Sequence, residues 1–140
     1  MLVCDSQVHI WAEQSSERPW APGGPELHRE MGHRRVAIGF EELKELMDEA
    51  GVDRVLICPP TWDLDRNDLG FAAAAKYPDR FGLMARVPLL DPETGKALLK
   101  SWQDLPGVKG VRLTFFRPAE ATWLNDGTAD WYWPIADTPS

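Results

Sequence analysis

Short apolar, β-branched runs alternate with amphipathic or alanine-rich segments along the whole chain, and this alternation most constrains the fold. We predict strands over residues 2–11, 52–58, 81–87 and 108–115, which begin roughly 28 to 50 residues apart. That spacing leaves room for a helix between neighbouring strands, as repeated βα units require. The pattern therefore predicts an α/β fold with a parallel sheet.

The segments between these strands predict helices that begin near residues 40, 68, 92 and 129 and end near residues 50, 76, 103 and 136. The first of them carries its apolar residues on one face, namely Leu43, Leu46, Met47 and Ala50. Gly51 follows in the position of a C-terminal cap, and Asn67 or Asp68 is expected to cap the second helix. Residues 12–38 contain repeated proline and glycine, so we expect a long loop there.

Composition excludes several classes of partner. The 140 residues carry a net charge of −7 and no basic stripe, which argues against nucleic acid or an anionic membrane as the main partner. No apolar run reaches the roughly eighteen residues that span a bilayer, and the N-terminus lacks the features of a signal peptide. We expect a cytoplasmic protein that binds a small molecule, in which Cys4 and Cys58 are buried thiols with no disulfide.

Two architectures contain repeated βα units, the open doubly wound sheet and the (β/α)₈ barrel. No glycine-rich phosphate loop follows the first strand, whereas polar residues and long loops follow several strands, as at the C-terminal face of a barrel. A complete barrel needs roughly 200 to 250 residues, so 140 residues supply about four of eight units. We expect the front half of a TIM-like barrel, one partial domain over residues 1–140 that stops at the fourth helix. It would belong to a longer product, pair with a second copy, or have lost the remainder.

The first strand, LVCDSQVHIW, becomes polar toward its end. If its residues alternate between faces, Asp5, Gln7 and His9 share one side with Val3. A carboxylate, an amide and an imidazole would then face one space. The alternative is that Asp5 and His9 only satisfy each other or neighbouring backbone groups within a core.

Several segments together carry a resemblance to a known family. They are DSQVHIW, RPWAPGG, AGVDRVLICPP, RNDLGFAAAAKYPDRFGLMARVPLLDPE, GVKGVRLTFFRP, WLNDG and DWYWPIAD. In order and spacing they resemble the amidohydrolase-related family, metal-dependent hydrolases with a TIM-barrel fold that are similar to sugar lactonases and pyrone-dicarboxylate lactonases. The resemblance extends from Leu2 to about Asp137.

The resemblance implies a polar centre at the end of the first strand. In this family that strand usually ends in His-x-His, which binds a divalent metal such as zinc or manganese, or holds substrate in lactonase members. The matching residues are Gln7 and His9, and Gln7 weakens a metal site because an amide oxygen is a poor substitute for imidazole. The family also has histidines on its fifth and sixth strands and a water-activating aspartate after the eighth.

Within this chain we predict His9 as the catalytic residue and metal ligand, and five residues that bind substrate: Gln7, Arg86, Arg112, Trp11 and Trp62. Arginines at strand ends suit a carboxylate or a lactone carbonyl, and Arg117 is a third candidate. The alternative is that Arg86 and Arg112 pair with interior carboxylates such as Asp5. The tryptophans expected at the mouth of the site are Trp11, Trp20, Trp62 and Trp123, and those expected to pack on helices are Trp102, Trp131 and Trp133.

These residues and the resemblance predict that the full-length parent is a hydrolase that cleaves a C–O or C–N bond of a small carboxylated, lactone or amide substrate by attack of water on a polarised carbonyl. His9 would bind or polarise that carbonyl, and we expect the 140-residue chain alone to be inactive. An alternative is a catalytically silent fragment or a self-associating half barrel with a structural role. A decarboxylase of the same superfamily is a third hypothesis.

Overall fold

The structure is a computed structural model that describes residues 1–102, 105, 107–115 and 117–136. Four parallel strands form one sheet in the order β1-β2-β3-β4. They are β1 Cys4–Val8, β2 Arg54–Ile57, β3 Phe81–Ala85 and β4 Val108–Val111. The predicted α/β fold with a parallel sheet is confirmed, and each strand is shorter than the apolar run that predicted it.

The described helices are α1 Gly24–Met31, α2 Phe40–Ala50, α3 Asp68–Lys76, α4 Pro92–Trp102 and α5 Trp133–Ala136. The bounds of α2 are those predicted, and Gly51 ends it in the left-handed conformation, with φ of 69°. Gln103, where α4 was expected to end, lies outside the described residues. The last helix covers only four of the residues predicted for it. Across the part of the chain that the structure describes, no helix has the length and apolarity needed to cross a membrane.

The prediction of a long loop over residues 12–38 was wrong in its middle, because α1 lies there. Pro25 falls in the first turn of α1, where its missing N–H would have no helical partner in any case. Gly23 precedes the helix with φ of 74°, a conformation that glycine adopts without strain. Here proline and glycine begin a helix instead of preventing one.

The centre of the sheet is buried and its first edge is not. Phe81, Leu83 and Ala85 of β3 are buried, and Gly70 lets α3 approach Leu83 so closely that an added Cβ would clash with Cδ1 of that leucine. Cys4 of β1 is exposed, which contradicts the prediction of a buried thiol, because β1 has a neighbouring strand on one side only.

The prediction that four apolar residues of α2 form its buried face was correct for two of them. Leu43 and Met47 are buried, whereas Leu46 and Ala50 are exposed. The helix therefore contacts the sheet along a narrower stripe than its sequence suggests.

Strand β1 contains an irregularity that changes which side chains share a face. Asp5 pairs with Val55 but Val8 pairs with Ile57, so β1 has one residue more than β2 over this stretch. Strict alternation is broken, and Ser6 and Gln7 border the same groove of about 410 Å³. Asp5 accepts a hydrogen bond from the backbone N–H of Gln7 at 3.0 Å.

Candidate functional site

His9 follows β1 directly, and its ring is held by the end of the neighbouring strand. Its Nδ1 lies 2.6 Å from the carbonyl oxygen of Cys58. A carbonyl oxygen can only accept, so Nδ1 carries the hydrogen and Nε2 keeps a lone pair. Burial lowers the pKa of His9, and the positive charges of Arg112 and Arg86 lower it further, against the opposing effect of the Cys58 hydrogen bond. His9 is therefore a neutral acceptor at neutral pH.

Aromatic rings pack around His9. The Trp62 ring lies 6.3 Å from the His9 ring and 5.6 Å from the Trp11 ring, centroid to centroid. His33 stacks on His9 at 6.4 Å, and Trp20 packs against Trp62 at 6.3 Å. Trp11 and Trp62 are only 1% and 4% exposed. Three of the four rings expected to line an open mouth, those of Trp11, Trp20 and Trp62, instead form a packed wall beside His9.

A pocket of about 240 Å³ lies at the C-terminal ends of β3 and β4. His9 follows β1, which is two strands away from β3 in the sheet. The lining of the pocket is rich in charged groups and includes one indole ring. The polar and aromatic side chains that matter here are Asp65, Arg86, Arg112, Thr114, Arg117, Glu120 and Trp123. Polar groups from two adjacent strand ends thus meet in one space.

Arg86 is the most buried cation of this pocket, with 6% of its surface exposed. Its Nε donates to Asp65 Oδ1 at 3.3 Å and its Nη2 donates to Thr114 Oγ1 at 3.2 Å. Nη1 is buried without a hydrogen-bond partner among the described residues. Burial lowers the pKa of Arg86, against the opposing effect of Asp65, yet a guanidinium stays charged at any physiological pH.

Asn67 holds the backbone of Arg86. The Arg86 N–H donates to Asn67 Oδ1 at 2.7 Å, and Asn67 Nδ2 donates to the Arg86 carbonyl at 2.9 Å. Asn67 does occupy the position before α3, as predicted, but its side chain makes no cap hydrogen bond. The residue instead ties the loop after β2 to the end of β3.

Arg117 and Glu120 form the opposite wall of the pocket. Arg117 donates from Nε to Glu120 Oε1 at 2.8 Å and from Nη2 to the same oxygen, and this bond raises the pKa of Arg117. Glu120 is only 2% exposed, and its Oε2 is buried without a partner among the described residues. Glu120 therefore presents one satisfied oxygen and one unsatisfied oxygen.

Arg112 joins the two parts of the site. It borders the pocket and also the groove that holds Gln7, and its charge acts on His9. Within residues 1–102, 105, 107–115 and 117–136, its guanidinium forms no ion pair. The alternative, that Arg86 and Arg112 pair with carboxylates such as Asp5, holds for Arg86 alone, which forms an ion pair with Asp65 at 3.3 Å. No described contact joins either arginine to Asp5.

The structure thus brings Arg86, Arg112 and Arg117 together on one pocket and places Gln7 on the adjoining groove. His9 is not among the residues that line either space, and the charges of Arg112 and Arg86 act on it. Sequence reasoning missed four residues of the site, which are Asp65, Asn67, Thr114 and Glu120. Only Glu120 had a local signal, because it follows Arg117 at the i+3 spacing of an ion pair.

A divalent metal is implied by the resemblance, and the site fits one poorly. Nε2 of His9 is a suitable ligand atom, but Gln7 is an exposed neutral amide. Among the described residues no three His, Cys, Asp or Glu side chains converge as a metal site requires. These residues do not form a metal site by themselves.

A parallel βα sheet whose polar side chains gather after the strand ends is the arrangement of (β/α)₈-barrel enzymes. The family model described as Amidohydrolase matches residues 4–137, and the chain belongs to this family. No curated protein sequence matches the chain.

Solved structures share the fold. A probable 2-pyrone-4,6-dicarboxylic acid hydrolase from Acinetobacter baumannii with citric acid bound has a TM-score of 0.61 and 15% identity, covering 96% of this chain and 46% of that one. A 2,6-dihydroxybenzoate decarboxylase from Rhizobium has a TM-score of 0.61 and 23% identity with the same coverage. A 5-carboxyvanillate decarboxylase from Novosphingobium aromaticivorans with bound manganese has a TM-score of 0.64 and 18% identity, covering 99% and 49%. The chain spans about half the length of these TIM-barrel amidohydrolases.

Proposed function

We propose that this chain provides the carboxylate-binding part of a hydrolase site that acts on a small carboxylated, lactone or amide substrate. The observation that carries the proposal is the pocket at the strand ends, where buried Arg86 meets Arg112 and Arg117. The charges of Arg112 and Arg86 also act on His9 and lower its pKa. Membership of the amidohydrolase family supports a reaction of this class. A solved structure of similar fold is a probable hydrolase of a dicarboxylic acid.

The arginines bind the substrate and stabilise the charge that develops during the reaction. A guanidinium donates two parallel hydrogen bonds to a carboxylate, and Arg112 is free of any described ion pair that would compete. As water attacks, the carbonyl oxygen gains negative charge, and a fixed cation in a partly buried pocket favours that charge. Arg86 is held for this task by Asn67, Asp65 and Thr114.

His9 orients water in this proposal. Its Nε2 accepts a hydrogen bond from a water molecule, which adds to the carbonyl carbon while the C–O or C–N bond breaks and the leaving group takes up a proton. Because Nε2 of the neutral ring cannot donate, polarisation of the carbonyl falls to the arginines. Removal of the water proton is left to the aspartate that the family resemblance implies after an eighth strand.

Zinc or manganese would enter the proposal only as an ion bound by Nε2 of His9, which would be its ligand. A structure of similar fold carries manganese, but the described residues of this chain supply too few ligands, so no step is assigned to a metal. Assays with and without each added metal test this point.

A structural role is the second candidate, favoured by the exposed edge strand β1 and the open groove beside it. A self-associating half barrel would cover both surfaces. A decarboxylase would use the same arginines, since its substrate also carries a carboxylate.

The test measures succinate binding to the full chain by calorimetry and the turnover of 2-pyrone-4,6-dicarboxylate. We expect Arg112→Ala to weaken succinate binding by about 10- to 100-fold, as loss of a charged hydrogen bond would. Arg35→Ala is the matched control, because it removes an exposed arginine whose guanidinium bonds only the Arg29 carbonyl in the part of the chain that the structure describes. Release of carbon dioxide would favour the decarboxylase. Absence of succinate binding together with dimers in sedimentation would favour the structural role.

A further inference from the structure

Two residues that line the same pocket each have one buried polar atom without a partner among the described residues, and the two atoms are complementary. Nη1 of Arg86 is a donor and Oε2 of Glu120 is an acceptor. Their residues are 6% and 2% exposed. The other polar atoms of both side chains are bonded, to Asp65 and Thr114 on one side and to Arg117 on the other.

Unsatisfied buried polar atoms are rare because they lose their hydrogen bonds to water and gain none in return. A charged pair left in this state on a pocket indicates that a ligand completes it. The ligand must offer an acceptor to Arg86 and a donor to Glu120. A bare carboxylate meets the first requirement and fails the second, because two carboxylates repel each other.

We propose that Arg86 and Glu120 recognise a carboxylate that carries a hydroxyl group on the neighbouring carbon, with the carboxylate accepting from Arg86 Nη1 and the hydroxyl donating to Glu120 Oε2. This inference rests on the proposed function and specifies the substrate class of the same pocket. Arg117 holds Glu120 in place through its other oxygen, so the free oxygen has a defined position. Glu120 is thereby a specificity-determining residue.

The test compares two ligands that differ by one hydroxyl, succinate and malate, the latter as both enantiomers. Calorimetry on the full chain is expected to give about tenfold tighter binding for one malate enantiomer than for succinate, the gain from one hydrogen bond to a charged group. Glu120→Gln is expected to abolish this ratio. Asp91→Asn makes the same charge change at the rim of the pocket, where the carboxylate already binds Thr94, and is expected to keep the ratio.

A third ligand makes the test independent of folding of the variant. In 2-methoxysuccinate the hydroxyl hydrogen is replaced by a methyl group, so it is expected to bind no more tightly than succinate to the unmodified chain. Circular dichroism shows whether Glu120→Gln is folded, and if it is not, this ligand comparison decides.

Equal binding of malate and succinate would overturn the inference and leave the proposed function intact, as expected if Arg86 and Glu120 simply pair with each other. A malate advantage that survives Glu120→Gln would assign the hydroxyl to another residue and overturn the role of Glu120. Failure of both ligands to bind would overturn the proposed function and the inference together.

Discussion

The site has two parts that are held together by different forces. At the end of β1, His9 sits among tryptophan rings, is neutral, and has one backbone partner. At the ends of β3 and β4, Arg86 and Glu120 lie in a network of charged hydrogen bonds. The first part depends on apolar packing, which salt does not weaken, and the second depends on charge and geometry. Burial among the aromatic rings keeps the His9 imidazole neutral, and the arginines of the second part attract anions.

The largest loss of stability is expected in the part of the site that depends on apolar packing. Trp11→Ala removes a side chain that is 1% exposed and contacts Trp62 and His33, so we expect the free energy of unfolding to fall by about 3 to 5 kcal/mol. Urea denaturation measures it. Trp133→Ala, at a residue that is 44% exposed and packs on Tyr132, is the control and should lower the free energy of unfolding by only about 1 kcal/mol. A loss at Trp11 no larger than at Trp133 would show that the aromatic wall is not what holds His9.

A smaller loss of stability is expected in the charged part of the site, at the ends of β3 and β4. Asn67→Ala leaves the backbone N–H and carbonyl of Arg86 without partners, which should cost about 2 kcal/mol and weaken succinate binding as Arg86 loses its position. Asn125→Ala, on an exposed turn, is the control. Nuclear magnetic resonance titration should find only a small rise in the pKa of His9 in Asn67→Ala, because Arg86 is the weakest of the groups that lower it and burial is unchanged. A large shift would mean that the two parts are coupled more tightly than their contacts indicate.

The smallest change in the free energy of unfolding is expected from protonation of His9. Its pKa is lowered in the folded state, so below its ordinary value of about 6.5 the unfolded chain binds a proton that the folded chain resists. Stability should therefore fall as the pH drops through about 6.5, and the loss is complete below the folded-state pKa. Urea denaturation at several pH values between about 7 and 5 measures the slope, and His9→Gln should flatten it. An identical slope in the variant would assign the proton to another group.

Local sequence patterns predicted most of the secondary structure. The helical periodicity and terminal glycine of α2 were sufficient to predict both of its ends, because both signals are contained within a few residues. The helix α1 was missed because its proline and glycine were interpreted as interruptions, although their position decides whether they stop or start a helix. Exposure of Cys4 was missed because an apolar run does not show whether a strand has one neighbour or two.

The sequence by itself determined the order of the four strands and of helices α2 to α5, and placed His9, Arg86 and Arg112 at strand ends, because periodicity and turn residues act locally. Only the tertiary structure decided their partners. His9 binds a carbonyl 49 residues away, Arg86 binds Thr114 across 28 residues, and Asn67 binds Arg86 across 19. These contacts depend on the register of parallel strands and on the extra residue in β1, and register is set by the packing of the whole sheet.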